Sequence, residues 1–128
     1  MRLTRIALIL TAIAYAGVGL PFVAFPRAMA SLVDIGLNSV TADNDLRAVY
    51  GGLGLGIAAF FLVSSAKPSW HRAALTAAAL TFAGLVAARV LSWLVVGFPS
   101  PLALGLHLLE TGGGLMCLVA LRRLPEER

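Results

Sequence analysis

Four long apolar stretches divide the sequence, and short polar segments separate them. They cover about residues 6–25, 46–63, 73–96 and 102–121. Each approaches the roughly 20 residues that an α-helix needs to cross the hydrocarbon core of a bilayer. Charged residues make up 12% of the 128 residues and hydrophobic residues 59%, whereas about 25% of a soluble domain is charged. The pattern predicts an all-α integral membrane four-helix bundle, with residues 1–128 forming a single transmembrane domain.

The first apolar stretch has features of a signal peptide as well as of a helix that stays in the protein. Arg2 and Arg5 precede it, and the Ala-Tyr-Ala sequence at 14–16 fits a small-residue cleavage site. However, the apolar run continues to Phe25, which gives it a spanning length. We therefore expect a retained first helix.

A long polar connection, residues 26–45, joins the first two stretches. Residues 26–36 are mildly amphipathic and end at a glycine, which predicts a short helix lying in the membrane interface. The more polar second half predicts a loop. Three of its residues are candidates for the N-cap of the next helix: Thr41, Asp43 and Asn44.

Lysine and arginine are distributed unequally between the two sides of the predicted bundle. One side receives seven of them: Arg2, Arg5, Lys67, Arg72, Arg122, Arg123 and Arg128. The other side receives only Arg27 and Arg47. Because basic loops stay in the cytoplasm, this bias predicts that both chain ends are cytoplasmic. The net charge of +4 is not gathered into a basic stripe, so nucleic acid is not an expected partner.

Two ionisable residues lie deep within apolar stretches, Arg89 in the third and Glu110 in the fourth. Each costs about 2.5–3.5 kcal/mol near the bilayer centre, so such residues are usually paired. At 1.5 Å per residue, Arg89 lies about 10 Å and Glu110 about 12 Å below the same outer boundary. Side chains lean toward the N-terminus of their helix, so the two heads converge on antiparallel helices. We predict a structural ion pair between Arg89 and Glu110.

Other polar groups share the outer half of the predicted bundle. His107 is one turn from Glu110 on the same helix face. Tyr50 lies about 6 Å below the outer surface on the second helix. The candidate ligand-binding set is Arg47, Tyr50, Arg89, His107 and Glu110. Two interpretations stay open: a purely structural cluster, and a site for a lipid, a quinone or a small anionic ligand.

Metal binding and catalysis have weaker support. His107 and Glu110 supply two metal ligands, but no second histidine or carboxylate lies at a similar depth, so no metal site is predicted. No nucleophile–base pair stands out. An enzyme that acts on a lipid or quinone, with Glu110 or His107 as acid or base, is a weaker hypothesis. No cofactor is predicted, and a quinone or lipid is kept as an alternative ligand.

Glycine is concentrated in the first half of the second apolar stretch. The glycine run after Tyr50 lacks the Lys-Ser/Thr pair and the preceding strand of a phosphate-binding loop. Small residues in a membrane helix instead allow a neighbouring helix to approach closely. We therefore predict packing roles for Gly51, Gly52, Gly56 and Gly84.

Three motifs carry a family resemblance: Arg47-Ala-Val-Tyr-Gly-Gly-Leu-Gly-Leu-Gly, Ala88-Arg89, and Glu110. With them, the chain resembles an uncharacterised bacterial four-helix membrane family, a domain-of-unknown-function family that is similar in architecture to DoxX-like proteins. The resemblance implies a multi-pass protein of the bacterial cytoplasmic (inner) membrane. Its marked positions are Arg47, Tyr50, Gly51, Gly52, Arg89 and Glu110. It implies no reaction, because likeness of fold does not carry function.

Little of the chain lies outside the predicted helices, which leaves little room for a catalytic domain. The leading hypothesis is a non-enzymatic accessory or structural subunit that docks on a larger membrane complex or on copies of itself. The alternative is an outward-facing binding or carrier protein for a lipid, quinone or small anionic ligand, using the Arg89/Glu110 cluster. The lipid bilayer is an expected partner in both cases.

Overall fold

Helices account for most of the described chain. The computed structural model describes residues 2–125, and no strand occurs among them. The helices are α1 (Arg2–Ala24), α2 (Pro26–Leu32), α3 (Val40–Leu46), α4 (Gly54–Ala66), α5 (His71–Val96) and α6 (Pro101–Arg122). A π-helical segment (Arg47–Leu53) joins α3 to α4, and a 3₁₀ turn (Pro68–Trp70) precedes α5. Arg128, which belongs to the predicted cytoplasmic set of basic residues, lies outside the described residues.

Continuous helical stretches in the described residues match the four predicted spans. Four of them are long and apolar enough to cross a membrane: Arg2–Ala24, Val40–Ala66, Pro68–Val96 and Pro101–Arg122. The all-helical fold class predicted from the hydrophobic pattern is confirmed. The largest difference in bounds is in the second stretch, which begins at Val40 rather than near residue 46.

The start of α3 explains this difference. Ser39 is the N-cap, with an extended backbone and a hydroxyl oxygen that accepts a hydrogen bond from the Ala42 N–H at 3.1 Å. The three predicted caps, Thr41, Asp43 and Asn44, lie inside α3, so that prediction is wrong. Polar residues are tolerated there because an acid in the first turn interacts favourably with the positive end of the helix dipole.

A short helix, α2, occupies the connection between the first two spans, and it ends at Leu32 rather than at Gly36. Asp34 has a φ of 57°. The Ile35 N–H donates to the Ala30 carbonyl oxygen at 2.9 Å, and the Asp34 N–H donates to that of Ser31 at 3.4 Å. This is a Schellman ending, which usually uses glycine but which aspartate also tolerates. The placement of α2 in a membrane interface stays a prediction.

Internal contacts divide the chain into two compact units, Met1–Leu10 with Ser64–Arg128, and Thr11–Val63. In the first unit α5 packs along α6. The buried apolar side chains there are small or aliphatic except for the Phe82 ring, and they include Ala7, Leu8, Ala74, Leu75, Ala78, Cys117 and Ala120. In the second unit, one buried cluster includes Phe22, Ala30 and Leu46 with four partly buried neighbours: Met29, Val33, Ile35 and Leu37.

The hairpin of α5 and α6 depends on glycine at its turn and along its contact. Gly97 ends α5 with a φ of 109°, which glycine adopts without the strain of a Cβ. Farther down, a Cβ on Gly113 would lie 3.0 Å from Phe82 Cζ, and one on Gly114 would lie 3.1 Å from Phe82 Cβ. The absence of side chains at these two positions lets the Phe82 ring pack directly on the α6 backbone.

Candidate functional site

Arg89 and Glu110 form a two-bond ion pair between α5 and α6. Arg89 Nε donates to Glu110 Oε2 at 2.6 Å, and Arg89 Nη2 donates to Glu110 Oε1 at 2.8 Å. The planar guanidinium matches the two carboxylate oxygens, so the charges neutralise each other through directional bonds. The Glu110 side chain is 14% exposed and the Arg89 side chain 31%. The carboxylate is therefore largely enclosed, while part of the guanidinium reaches the protein surface.

The geometry of the hairpin brings these two side chains together. Arg89 precedes the end of α5 by seven residues, and Glu110 follows the start of α6 by nine. Their Cα atoms are therefore about 10 Å and about 14 Å from the turn along the helices. Because the helices leave the turn in opposite chain directions, side chains that lean toward their own N-termini close this difference.

An aromatic group lies between the ion pair and the hairpin turn. The ring centroids of Trp93 and His107 are 4.4 Å apart, and Trp93 also stacks on Phe98 at 5.8 Å. The Thr111 hydroxyl donates to the His107 carbonyl oxygen at 2.8 Å. His107 Nδ1 is buried and has no hydrogen-bond partner in residues 2–125. His107 is thus held by ring packing, and one ring nitrogen keeps a bonding capacity that a ligand could use.

Arg47 and Tyr50 hold the C-terminal end of α1. Arg47 Nη1 donates to the carbonyl oxygen of Val23 at 3.0 Å. That carbonyl is among the last four of α1, which have no partner of their own within an α-helix. The Tyr50 ring stacks on Phe22 with centroids 5.0 Å apart. The Arg-x-x-Tyr string therefore fastens the second span to the end of the first.

Comparison with known sequence families shows the family to which the chain belongs. A family described as "Domain of unknown function (DUF4345)" matches residues 3–121. The chain belongs to this family. A search of curated proteins and a search of solved structures give no match. DUF4345 carries no assigned reaction, and both the likeness to DoxX-like proteins and the bacterial inner membrane stay predictions.

Glycine permits a close helix contact within residues 11–63 of this DUF4345 chain. A Cβ on Gly51 would lie 2.6 Å from Val23 Cγ2 and 3.1 Å from the Val23 backbone nitrogen, so a larger residue does not fit without movement. A Cβ on Gly54 would lie 3.6 Å from the Cα of Gly19. The backbones of α1 and the second span therefore approach at Gly51 and Gly54.

The other predicted packing glycines have more space around them. A Cβ on Gly52 would meet only the Arg47 carbonyl oxygen, at 3.8 Å. A Cβ on Gly56 or Gly84 would have no neighbour within 4 Å in the described part of the chain. These three glycines therefore make no close helix contact within the described chain, because their open sides face away from its packed elements. A role in packing against another molecule stays a prediction.

The five residues predicted as a ligand site are divided between the two units. Arg89, His107 and Glu110 lie together on α5 and α6, whereas Arg47 and Tyr50 belong to Thr11–Val63. A single pocket formed by all five stays a prediction. Across residues 2–125, no group of three or more His, Cys, Asp or Glu side chains is placed to hold a metal ion.

A cleft of about 310 Å³ lies where α1 ends and α2 begins, and the sequence did not predict it. Its charged lining residues are Arg27, Asp43 and Arg47. Arg27 Nε lies 3.7 Å from Asp43 Oδ2, and Asp43 Oδ1 is buried without a hydrogen-bond partner among the described residues. In the sequence, these three charged residues lie near the ends of the first two apolar stretches. That position is the one sequence feature that could have indicated the cleft, because a folded connection brings such ends together.

Proposed function

We propose that this DUF4345 chain is an integral membrane protein that acts, without catalysis, as an accessory or structural subunit of a membrane complex. It is a small helical protein with four apolar helical stretches, and two of the three connections between them are only a few residues long. The proposed orientation places both ends in the cytoplasm, in accordance with the bias of basic residues. The bacterial inner membrane is the proposed location, on the basis of the family resemblance.

The observation that carries this proposal is that Arg89 and Glu110 bind each other through two hydrogen bonds. Both carboxylate oxygens of Glu110 accept hydrogen bonds from Arg89, so Glu110 is poorly placed to act as a free acid or base. A buried pair of this kind fixes how two helices meet, because removing one partner leaves the other charge uncompensated. A structural task therefore explains the geometry better than a catalytic one.

The hairpin of α5 and α6 supplies the proposed docking surface. Few residues of its two spans are buried: 11% and 6% of the most apolar 18-residue segments, compared with 33% for the span of α1. The Arg89–Glu110 pair lies at this surface, and nearby apolar side chains such as Leu85 are exposed. A partner transmembrane helix would pack against these side chains by van der Waals contact.

Copurification after extraction in a mild detergent tests the docking. Leu85 precedes Arg89 by one turn on the same face of α5, whereas Leu80 lies on the opposite face, and both side chains are exposed. We expect one partner protein to copurify in a constant molar ratio with the wild type and with Leu80→Trp. With Leu85→Trp, this partner should no longer copurify. A monodisperse wild-type monomer without a partner would contradict the proposal.

A second candidate function, ligand binding in the outer half of the hairpin, is favoured by the unpartnered Nδ1 of His107. A quinone carbonyl is a suitable acceptor for an imidazole N–H. Because Trp93 lies 4.4 Å from His107, a ligand there should quench its fluorescence. In a Trp70→Phe background, Trp93 is the remaining tryptophan. This candidate function requires that a short-chain quinone quench Trp93 fluorescence with saturation and that His107→Phe abolish the quenching. Quenching that rises linearly without saturation would exclude it.

A further inference from the structure

The cleft between α1 and α2 combines both signs of charge with an apolar wall. Arg27, Asp43 and Arg47 supply the charges, and the remaining lining residues are Ala24, Phe25, Pro26 and Ala28. Phe25 is 68% exposed. The volume of the cleft, about 310 Å³, is at the lower end of the range of about 300–1,000 Å³ for small-molecule sites. The cleft therefore suits a small polar group that is attached to an apolar one.

The two arginines differ in how firmly they are held. Arg47 donates one of its N–H groups to Val23 O at 3.0 Å, which fixes its guanidinium beside the cleft. A guanidinium has five N–H groups, so this bond leaves donors that can face a ligand. The Arg27 side chain is 71% exposed, and its 3.7 Å distance to Asp43 is longer than that of a hydrogen bond. Arg27 can therefore move onto a ligand without breaking a strong contact.

A simple anion does not match the charges of this cleft, because Asp43 carries a negative charge of its own. Its Oδ1 is buried without a hydrogen-bond partner within residues 2–125, and a buried carboxylate oxygen ordinarily has one. An anion alone would bind the arginines and be repelled by Asp43. A ligand that carries an anion and an N–H cation a few bonds apart would satisfy all three charges.

The position of the cleft along the helices indicates where such a ligand comes from. Arg27 lies three residues beyond the end of the α1 span at Ala24, and Asp43 lies three residues after the start of the next span at Val40. Within one helical turn of a span end, a side chain is at the level of lipid head groups. The exposed Phe25 ring, one residue beyond the same span end, then lies at the boundary between the head groups and the acyl chains.

We propose that this cleft binds the head group of a membrane phospholipid that carries a primary ammonium, that is, a phosphoethanolamine group. The phosphodiester contacts Arg27 and Arg47, and the ammonium donates to Asp43. The site rests on the proposed membrane placement but not on the docking of α5 and α6. A chain that stays in solution without detergent would remove the membrane placement itself, and a missing protein partner leaves the lipid site unaffected.

Native mass spectrometry of the full chain, purified with an equimolar mixture of phosphatidylethanolamine, phosphatidylcholine and phosphatidylglycerol, tests this site. We expect phosphatidylethanolamine to be retained about tenfold more strongly than phosphatidylcholine, whose methylated ammonium has no N–H donor. This comparison needs no variant, so it holds even if a substitution prevents folding. Equal retention of the three lipids would overturn the proposal.

Two pairs of variants locate the site. Asp43→Asn should lower the retention of phosphatidylethanolamine to that of phosphatidylcholine, while Asp45→Asn, an exposed acid on the same helix, should leave it unchanged. Arg27→Gln should weaken the binding of all three lipids, and Arg5→Gln should not. Unchanged selectivity in Asp43→Asn would overturn the role of the carboxylate. Saturable binding of soluble phosphoethanolamine without retention of the lipid would overturn the assignment to a membrane lipid.

Discussion

The Arg47 guanidinium donates a hydrogen bond to the carbonyl oxygen of Val23, 3.0 Å away and 24 residues earlier in the chain. The last turn of α1 contains no basic residue of its own. A cation at a helix C-terminus satisfies an otherwise unpaired carbonyl and interacts favourably with the helix dipole. Arg47, which the sequence predicts as part of a ligand site, therefore has a structural task at the end of α1.

Replacing Arg47 with lysine tests this contact. Lysine keeps the charge but loses the planar guanidinium, so we expect the free energy of unfolding to fall by about 1–2 kcal/mol. Unfolding in detergent, followed by circular dichroism during titration with a denaturing detergent, measures the change. Arg5→Lys, at an exposed position of α1, is the control. Equal stability of Arg47→Lys and the wild type would show that the hydrogen bond contributes little.

The Arg89–Glu110 pair predicts a strongly non-additive mutant cycle. Glu110→Gln alone strands a charge on Arg89 and should lower stability by about 3–5 kcal/mol. Arg89→Met with Glu110→Leu removes both charges at similar volume and should recover most of this loss. The yield of folded, monodisperse protein and its melting temperature in detergent report the result. If the double variant loses as much as the two single variants together, the two residues are not coupled.

Two neighbouring glycines of α6 should respond in opposite directions to alanine. A Cβ on Gly113 would lie 3.0 Å from the buried Phe82 ring, whereas one on Gly112 has no neighbour within 4 Å in the described chain. We expect Gly113→Ala to lose about 1–3 kcal/mol through overpacking, and Gly112→Ala to gain up to about 1 kcal/mol from helix propensity. Thermal unfolding in detergent separates them. Adding Phe82→Leu should restore Gly113→Ala, and a failure to do so would place the strain elsewhere.

The proposed orientation predicts which turn reacts with a membrane-impermeant maleimide. Ser100 lies in the turn between α5 and α6, and Ser69 in the turn before α5; both are exposed. In a Cys117→Ala background, Ser100→Cys should be labelled in intact cells and Ser69→Cys only after permeabilisation. The reverse pattern would invert the topology, and labelling of both before permeabilisation would contradict a bilayer between the two turns.

The sequence was sufficient for the helices and for the meeting of Arg89 with Glu110. Apolar stretches of spanning length leave few alternatives to helices, because a backbone without water must bond within itself. The short turn at Gly97 fixes α5 and α6 as antiparallel neighbours, so counting residues from the turn gives the depth of each charge. The helical rise and the lean of the side chains then place the two charged groups at the same level.

The features that the sequence did not reveal depend on contacts between distant residues. Asp34 ends α2 in a conformation that glycine usually takes, and Ser39 starts α3 where the polar sequence predicts a loop. The cleft brings Arg27, Asp43 and Arg47 together only after α2 and α3 have packed. No local periodicity distinguishes such charges from ordinary residues that flank a span.

The π-helical segment Arg47–Leu53 also shifts the phase of the helix that contains it. A π-helical turn closes its hydrogen bonds one residue later than an α-helical turn, and one residue corresponds to about 100° of rotation. Residues of α3 and α4 that a single helical wheel would place on one side therefore point in different directions. Deleting one residue from the segment would remove the extra residue and the phase shift together, so a regular α-helix would form and Gly54–Ala66 would keep their present neighbours.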